Sequence, residues 1–221
     1  MSTVIDGSTG VNAPGMILAN AAPLGTATAG QFSYDGQVVY VTPQSTQRGV
    51  IPGMQFYRLD SALVGSNVNT AQNILGVGCT LSSSTVYAFE IQTTMLKTAG
   101  STSHIVNFGY GGTATVNNIY SDIRTLFFGG SVNAYMGSTN FQAVISTQTS
   151  TVATTAATSV ATLLHSMTIK GTVSVNAGGT FIPQYTLSAA PGGAYTTQIG
   201  SYMLIYPIGA SGSAVSVGTW A

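Results

Sequence analysis

Two histidines, one cysteine and five carboxylates are all that this 221-residue chain offers to acid–base, nucleophilic or metal chemistry. His104 stands in TSHIVNF and His165 in LLHSMTI, each among apolar residues that read as strand. Histidines so placed are expected to be structural, with their ring nitrogens satisfied. Asp6, Asp35, Asp60, Glu90 and Asp122 are isolated from one another along the chain. Asp35 belongs to a turn, and Glu90 is expected to pair with His104 or Lys97 across a hairpin. No Cys/His or His/carboxylate group has metal-ligand spacing, so no metal is expected. Serines abound, but no nucleophile-elbow pattern accompanies them. FGYGGTAT lacks the lysine and helix of a phosphate loop and reads as a β-turn. Glycoside cleavage needs two carboxylates at a set separation, and only a cross-chain pair such as Asp60 with Glu90 would supply them. The inventory therefore predicts no catalytic residue and no cofactor. A polysaccharide depolymerase is the least favoured reading.

Composition narrows the partners. Charged residues are 5% of the chain, five of each sign, with no net charge, against roughly a quarter in an average domain. A surface of Ser, Thr, Asn, Gln and Gly suits a protein that lives in an assembly, where each buried charge would need a partner. Arg48, Arg58, Lys97, Arg124 and Lys170 are scattered singly, which excludes the basic stripe of a nucleic-acid binder. Asp122 and Arg124 share a face if YSDIRTLFF is a strand, and would form a local ion pair. The most apolar patch, YMLIYPIGA, is too short for a helical span of a bilayer, so no membrane insertion is expected. MSTVIDGSTG lacks the basic start and apolar run of a signal peptide. The one cysteine, Cys79, excludes an intrachain disulfide and reads as a small buried group. Folding in a reducing cytoplasm is expected.

Positioning elements follow from pattern. Residues 1–30, rich in Gly, Ala, Pro, Ser and Thr, cannot close a core. They read as an extended anchoring arm with Val4, Ile5, Met16, Ile17 and Leu18 as its apolar contacts. Residues 31–53 hold a β-hairpin and a connector. Asp35-Gly36 predicts a two-residue type I′ turn between Tyr34 and Gln37, in a hairpin whose second strand carries Tyr40. That turn pairs Phe32 with Val39 and Tyr34 with Gln37, and leaves Phe32, Tyr34 and Val39 on a face that needs cover. Residues 54–221 break into many short runs rich in β-branched and aromatic residues. In TVYAFEIQT, Tyr87, Phe89 and Ile91 share one face, Ala88 and Glu90 the other. Ile169, Thr172 and Val175 flank an expected irregularity at Gly171. The Thr/Ala-rich stretch before His165 reads as strand plus loop. The fold class is all-β: an antiparallel, jelly-roll-like β-sandwich head with an N-terminal arm and a hairpin. Two lysines cannot guard its sheet edges, so self-association is expected. Eleven tyrosines against one tryptophan suit contact surfaces. Tyr135, Tyr195 and Tyr202 are the candidate receptor or interface contacts.

TATAGQFSYDGQVVYVTPQSTQRGVIP resembles a module of bacteriophage tail-fibre and related virion appendage proteins, on Thr28, Ala29, Gly30, Tyr34, Asp35, Gly36, Tyr40, Thr42, Arg48 and Gly49. VIDGSTGV is similar to the starts of phage fibre and collar proteins. FYRLDSALVGSNVNTAQNILGVG, TVYAFEIQTTMLKTAGSTSH, GGTAT and the stretch from GTVSVNAGG to YMLIYPIG resemble the globular domain that follows this module. The resemblance implies a non-enzymatic virion structural protein: a short tail-fibre or capsid-fibre appendage, joined to other capsid or tail proteins and contacting a host-surface glycan or protein. No repetitive shaft precedes the hairpin, which departs from a long fibre and keeps capsid decoration as the alternative. The head resembles the complement/tumour-necrosis-factor type of jelly roll, which implies a homotrimer.

Overall fold

From Thr85 to Lys97, every second residue is buried, and the stretch forms one strand of 13 residues. The same alternation of period two, read along the chain, builds the whole protein from strands; no helix occurs among the described residues. The computed structural model describes residues 17–20, 25–44, 47–129, 135–145, 151–212, 214 and 217, the 135–145 stretch by its backbone. They divide into two units, one ending at Ile51 and one running from Pro52 to Val217.

The smaller unit is a three-stranded antiparallel sheet of β1 (Gln31–Tyr34), β2 (Val39–Gln44) and β3 (Gln47–Ile51). Its first turn is wider than Asp35-Gly36 implied. Tyr34 pairs with Val39, Ser33 with Tyr40 and Phe32 with Val41, leaving a four-residue loop from Asp35 to Val38. Asp35 sets it. Its Oδ1 accepts the N–H groups of Gln37 (2.9 Å) and Val38 (2.8 Å), and its Oδ2 accepts the Tyr40 hydroxyl at 2.7 Å. An aspartate that captures the backbone two and three residues on replaces the tighter turn. Gly36 supplies positive φ and Asp35 does not, so the loop is not type I′. Phe32 stays 53% exposed, while Ser33, Val38, Tyr40 and Thr42 on the other face are buried. Two described residues before β1 touch the same sheet: Asn20 bridges Tyr34 in parallel, and Arg48 donates to the Gly25 carbonyl at 2.8 Å.

The larger unit holds β4 (Gln55–Arg58), β5 (Leu63–Val64), β6 (Gln72–Asn73), β7 (Cys79–Leu81), β8 (Thr85–Lys97), β9 (Val106–Gly111), β10 (Thr115–Gly129), β11 (Tyr135–Ile145), β12 (Thr151–Ala153), β13 (Leu163–Ala177), β14 (Gly179–Leu187), β15 (Tyr195–Thr197) and β16 (Tyr202–Ala210). Four antiparallel pairings nest inside one another: β4 with β16, β6 and β7 with β14, β8 with β13, and β9 with β12. Pairing of β16 with β8 and of β14 with β9 closes them into two sheets. A long hairpin wrapped on itself in this way is a jelly roll. The β10–β11 hairpin is inserted between β9 and β12 and widens the larger sheet beyond β13. The Thr/Ala-rich stretch supplies β12 and the loop that leads to β13.

The core lies between the sheets. Phe89 of the larger sheet meets Tyr110 edge-on and Phe181 at a tilt, while Tyr110 stacks on Phe181 with centroids 4.7 Å apart. The Tyr110 hydroxyl shares a 2.7 Å bond with Ser121, which satisfies its polar tip inside the core. Gly171 is not an irregularity: β13 runs against β8 in unbroken register through it. Ile169, Val173 and Val175 face inward, and Thr172 lies on the other side. The glycine makes room. A Cβ there would collide with the Tyr120 carbonyl and sit 2.7 Å from Phe89 Cζ. Gly171→Ala is therefore expected to cost about 2–3 kcal/mol in urea unfolding, through displaced backbone and an off-rotamer Phe89. A neutral or stabilising alanine would refute that account.

Candidate interaction surface

Outward residues of the larger sheet fall into rows set by strand register. One row runs Leu204, Glu90, Lys170, Asp122 across β16, β8, β13 and β10. Lys170 Nζ lies 2.9 Å from Glu90 Oε2, and the Tyr202 hydroxyl donates to Glu90 Oε1 at 2.7 Å. Glu90 thus pairs with Lys170 and Tyr202, not with His104 or Lys97, because β13 and not a sequence-adjacent strand lies beside it. The Lys170 ammonium, with the Tyr202 hydroxyl, holds the Glu90 carboxyl below its usual range; the same bond to Glu90 is the main cause that raises the Tyr202 hydroxyl. Phe56 stacks on Tyr202 with centroids 5.6 Å apart. Arg124 reaches Asp122 at 3.3 Å, as strand spacing predicts, and Arg58 holds Asp60. These exposed pairs contribute at most about 1 kcal/mol each. Along β10, Tyr120 and Leu126 flank the Asp122–Arg124 pair and stand exposed. The surface is a mixed-sign, tyrosine-bearing face with no net field.

The seventh charge of this unit is inside. Lys97, fully buried, donates to the carbonyls of Gly100 (2.7 Å), Val160 (2.8 Å) and Ala99 (3.2 Å). Burial lowers its pKa. Beside it in register on β15 is Tyr195, 1% exposed. Tyr195 is therefore a core residue and not a contact for a receptor. Its hydroxyl meets His104 Nε2 at 2.7 Å, and His104 Nδ1 meets the Thr102 carbonyl at 2.8 Å. A carbonyl only accepts, so Nδ1 carries the proton and Tyr195 donates to Nε2. His104 is a satisfied structural histidine, with burial lowering its pKa. His165 is different: it is fully buried, and neither ring nitrogen has a partner among the described residues. Cys79 is partly buried, with its thiol pushed up to about 11 by burial.

The expected contact residues fall on different elements. Tyr202 is on the outer face. Tyr135 begins β11 opposite Phe128, and its side chain lies outside the described residues, as do Val4, Ile5 and Met16. Ile17 is 98% exposed and Leu18 half-buried. Tyr34, half-buried, ends β1; Asp35, Gly36 and Tyr40 form the loop just described. Lys170 was missed as the partner of Glu90, although both occupy outward positions of alternating strands. Among the described residues no three of His, Cys, Asp or Glu gather where a metal could sit, and no helix is long and apolar enough to cross a membrane.

The fold and surface define an all-β, antiparallel jelly-roll protein with a separate hairpin unit. No family model matches the chain, and no curated protein is similar to it. Among solved structures, the infectious bursal disease virus VP2 subviral particle aligns with 80% of this chain and 45% of that one, at 9% identity and a TM-score of 0.19. The Gx strain of the same virus aligns with 86% and 48%, at 9% identity and a TM-score of 0.19. The chain thus spans less than half the length of either. The resemblance to a viral capsid protein is weak, and at this TM-score it carries no argument.

Proposed function

We propose that this chain is a non-enzymatic structural protein of a bacteriophage virion. In this reading it is a homotrimeric appendage of the short tail-fibre or capsid-fibre type, assembled in the host cytoplasm. Its N-terminal arm anchors it to other virion proteins, and its jelly-roll head contacts the host surface.

The observation that carries the reading is the edge strand β11. Its eleven residues, YMGSTNFQAVI, include no charge and no proline, and among the described strands β11 pairs with β10 alone. Monomeric proteins defend such an edge with charge or proline, lysine above all. A long edge that no other described strand pairs favours cover by another copy of the chain. The carboxylates support the non-enzymatic part, since Asp60, Glu90 and Asp122 are each held in an ion pair.

Sedimentation equilibrium of the full chain at micromolar concentration is expected to return the mass of three chains. Placing lysine at positions 138 and 140 (Ser138→Lys with Asn140→Lys), opposite Leu126 and Arg124 in register, is expected to weaken association about tenfold or more with an unchanged circular dichroism spectrum. A single-chain mass for the unaltered protein overturns the assembly. Labelled protein that adsorbs to bacterial cells supports the appendage; protein that loads onto phage particles without adsorbing to cells replaces it with a capsid decoration role.

A further inference from the structure

β4 breaks the burial rule that builds the rest of the larger sheet. In register its Gln55 and Tyr57 lie opposite Ile205 and Met203, both buried in the core. Opposed residues of an antiparallel pair share a face, so Gln55 and Tyr57 stand on the core side. Yet all four residues of β4 are exposed. The core face therefore runs on past β16 without full cover. A hollow of about 160 Å³ opens there, lined by Tyr57, Val77, Met203 and Ile205 and, among the described residues, by no charged one.

Other apolar side chains gather along the same edge. Met54 stands exposed just before β4, Phe56 on it and Val64 on β5. Ile199 stands exposed in the turn whose Gly200 N–H donates to the Leu59 carbonyl, between those two strands. A cluster of large exposed apolar side chains marks an interaction site. Among the described strands β4 pairs with β16 alone and β5 with β15 alone, so this edge is the end of the sheet opposite β11. From Met54 to Gly65 the chain has no lysine and no proline, and its two charges, Arg58 and Asp60, hold each other. Neither end of the sheet carries the lysines or prolines that guard a monomer's edge.

Strand direction decides what fits this edge. Five antiparallel pairings separate β4 from β11, through β16, β8, β13 and β10. An odd number makes the two ends run in opposite directions. Rotation about an axis along the strands preserves direction. It therefore brings β11 of one copy beside β4 of the next in the antiparallel sense used throughout this sheet. Neither edge has a net charge, so the contact buries no unpaired one. Joining unlike edges is a heterologous contact, which can close into a ring, whereas β11 joined to β11 is isologous and stops at two chains.

We propose that the β4–β5 edge receives β11 of a neighbouring copy of this chain, and that three such contacts close the trimer. This contact rests on the three-chain assembly proposed above and names the two surfaces that form it.

Two variants test it, each blocked at one edge: Ser138→Lys with Asn140→Lys on β11, and Phe56→Lys with Val64→Lys on β4 and β5. In sedimentation equilibrium each alone is expected to associate about tenfold or more weakly than the parent. Mixed in equal amounts they are expected to form pairs, since each supplies the edge that the other lacks. A β4–β5 variant that keeps the three-chain mass, or a mixture that associates no better than either variant alone, overturns the contact. So does a β4–β5 variant that pairs with itself, which would mean that β11 binds β11. Circular dichroism matching the parent shows that each variant folds. Should loss of the Phe56 ring from Tyr202 disturb the sheet, Val64→Lys with Ile199→Lys blocks the same edge from two exposed positions. A single-chain mass for the unaltered protein removes the trimer and this contact together; a three-chain mass that survives the edge variant removes this contact alone.

Discussion

Lys97→Met is expected to destabilise the head by about 3–5 kcal/mol, lowering its melting temperature on the order of 10 °C. Methionine keeps the length and the apolar stem but removes the donor that three carbonyls share. Those carbonyls belong to two different connections, Ala99 and Gly100 after β8, and Val160 before β13. The ammonium therefore works as a clamp across the end of the sandwich. The backbone there is too crowded to find substitutes: a Cβ on Gly100 would collide with Pro191 and Gly192, and one on Gly193 with Ala99. Breaking a buried charge–dipole cluster leaves acceptors unsatisfied, and that cost exceeds what the cluster gained on forming. Urea unfolding followed by near-ultraviolet circular dichroism measures it. A loss below about 1 kcal/mol would mean that water replaces the ammonium and the clamp is unimportant.

Acid is expected to weaken the head through His165. Burial pushes its pKa down to about 3, from an ordinary value of 6.5. The unfolded chain takes up the proton near pH 6.5, and the folded chain not until about pH 3. Between those limits the unfolded state binds more protons, so stability is whole above pH 6.5 and falls as the pH drops. The slope is about 1.4 kcal/mol per pH unit, or roughly 3 kcal/mol between pH 6.5 and 4.5. His104, whose pKa is also lowered, adds to the same trend, so the test is a difference. His165→Leu removes the two unpartnered nitrogens while keeping an apolar body against Phe127, which packs on the imidazole. The variant is expected to match or exceed the parent at pH 7 and to lose about 3 kcal/mol less on going to pH 4.5. Parallel pH curves for the two proteins would show that the imidazole finds a partner in solution.

Strand parity made much of the head legible. Alternation along TVYAFEIQTTMLK places Tyr87, Phe89 and Ile91 inward and Ala88 and Glu90 outward, as observed. The same parity puts Lys97 inward, a signal that sequence reasoning passed over because lysine is rarely buried. Asp122 and Arg124 met because two residues along a strand share a face. The hairpin shows where local rules stop: Asp-Gly favours a tight turn, but Asp35 gains more by binding two backbone N–H groups and Tyr40 than by adopting positive φ. Gly171 misled for a related reason, since the ring that needs its space comes from a different strand.

The candidate sites were less legible because their members come from far apart in the chain. Glu90 meets Tyr202 across 112 positions, and His104 meets Tyr195 across 91. Composition and period alone dictate an all-β chain with a nearly uncharged surface, since two-residue alternation and scarce ionic groups are properties each segment carries locally. Which strands became neighbours and which lysine went inside were settled by the nested pairing of the jelly roll. That pairing joins segments whose compatibility lies in side-chain volume and hydrogen-bond geometry, and neither is expressed until the sheets close on each other.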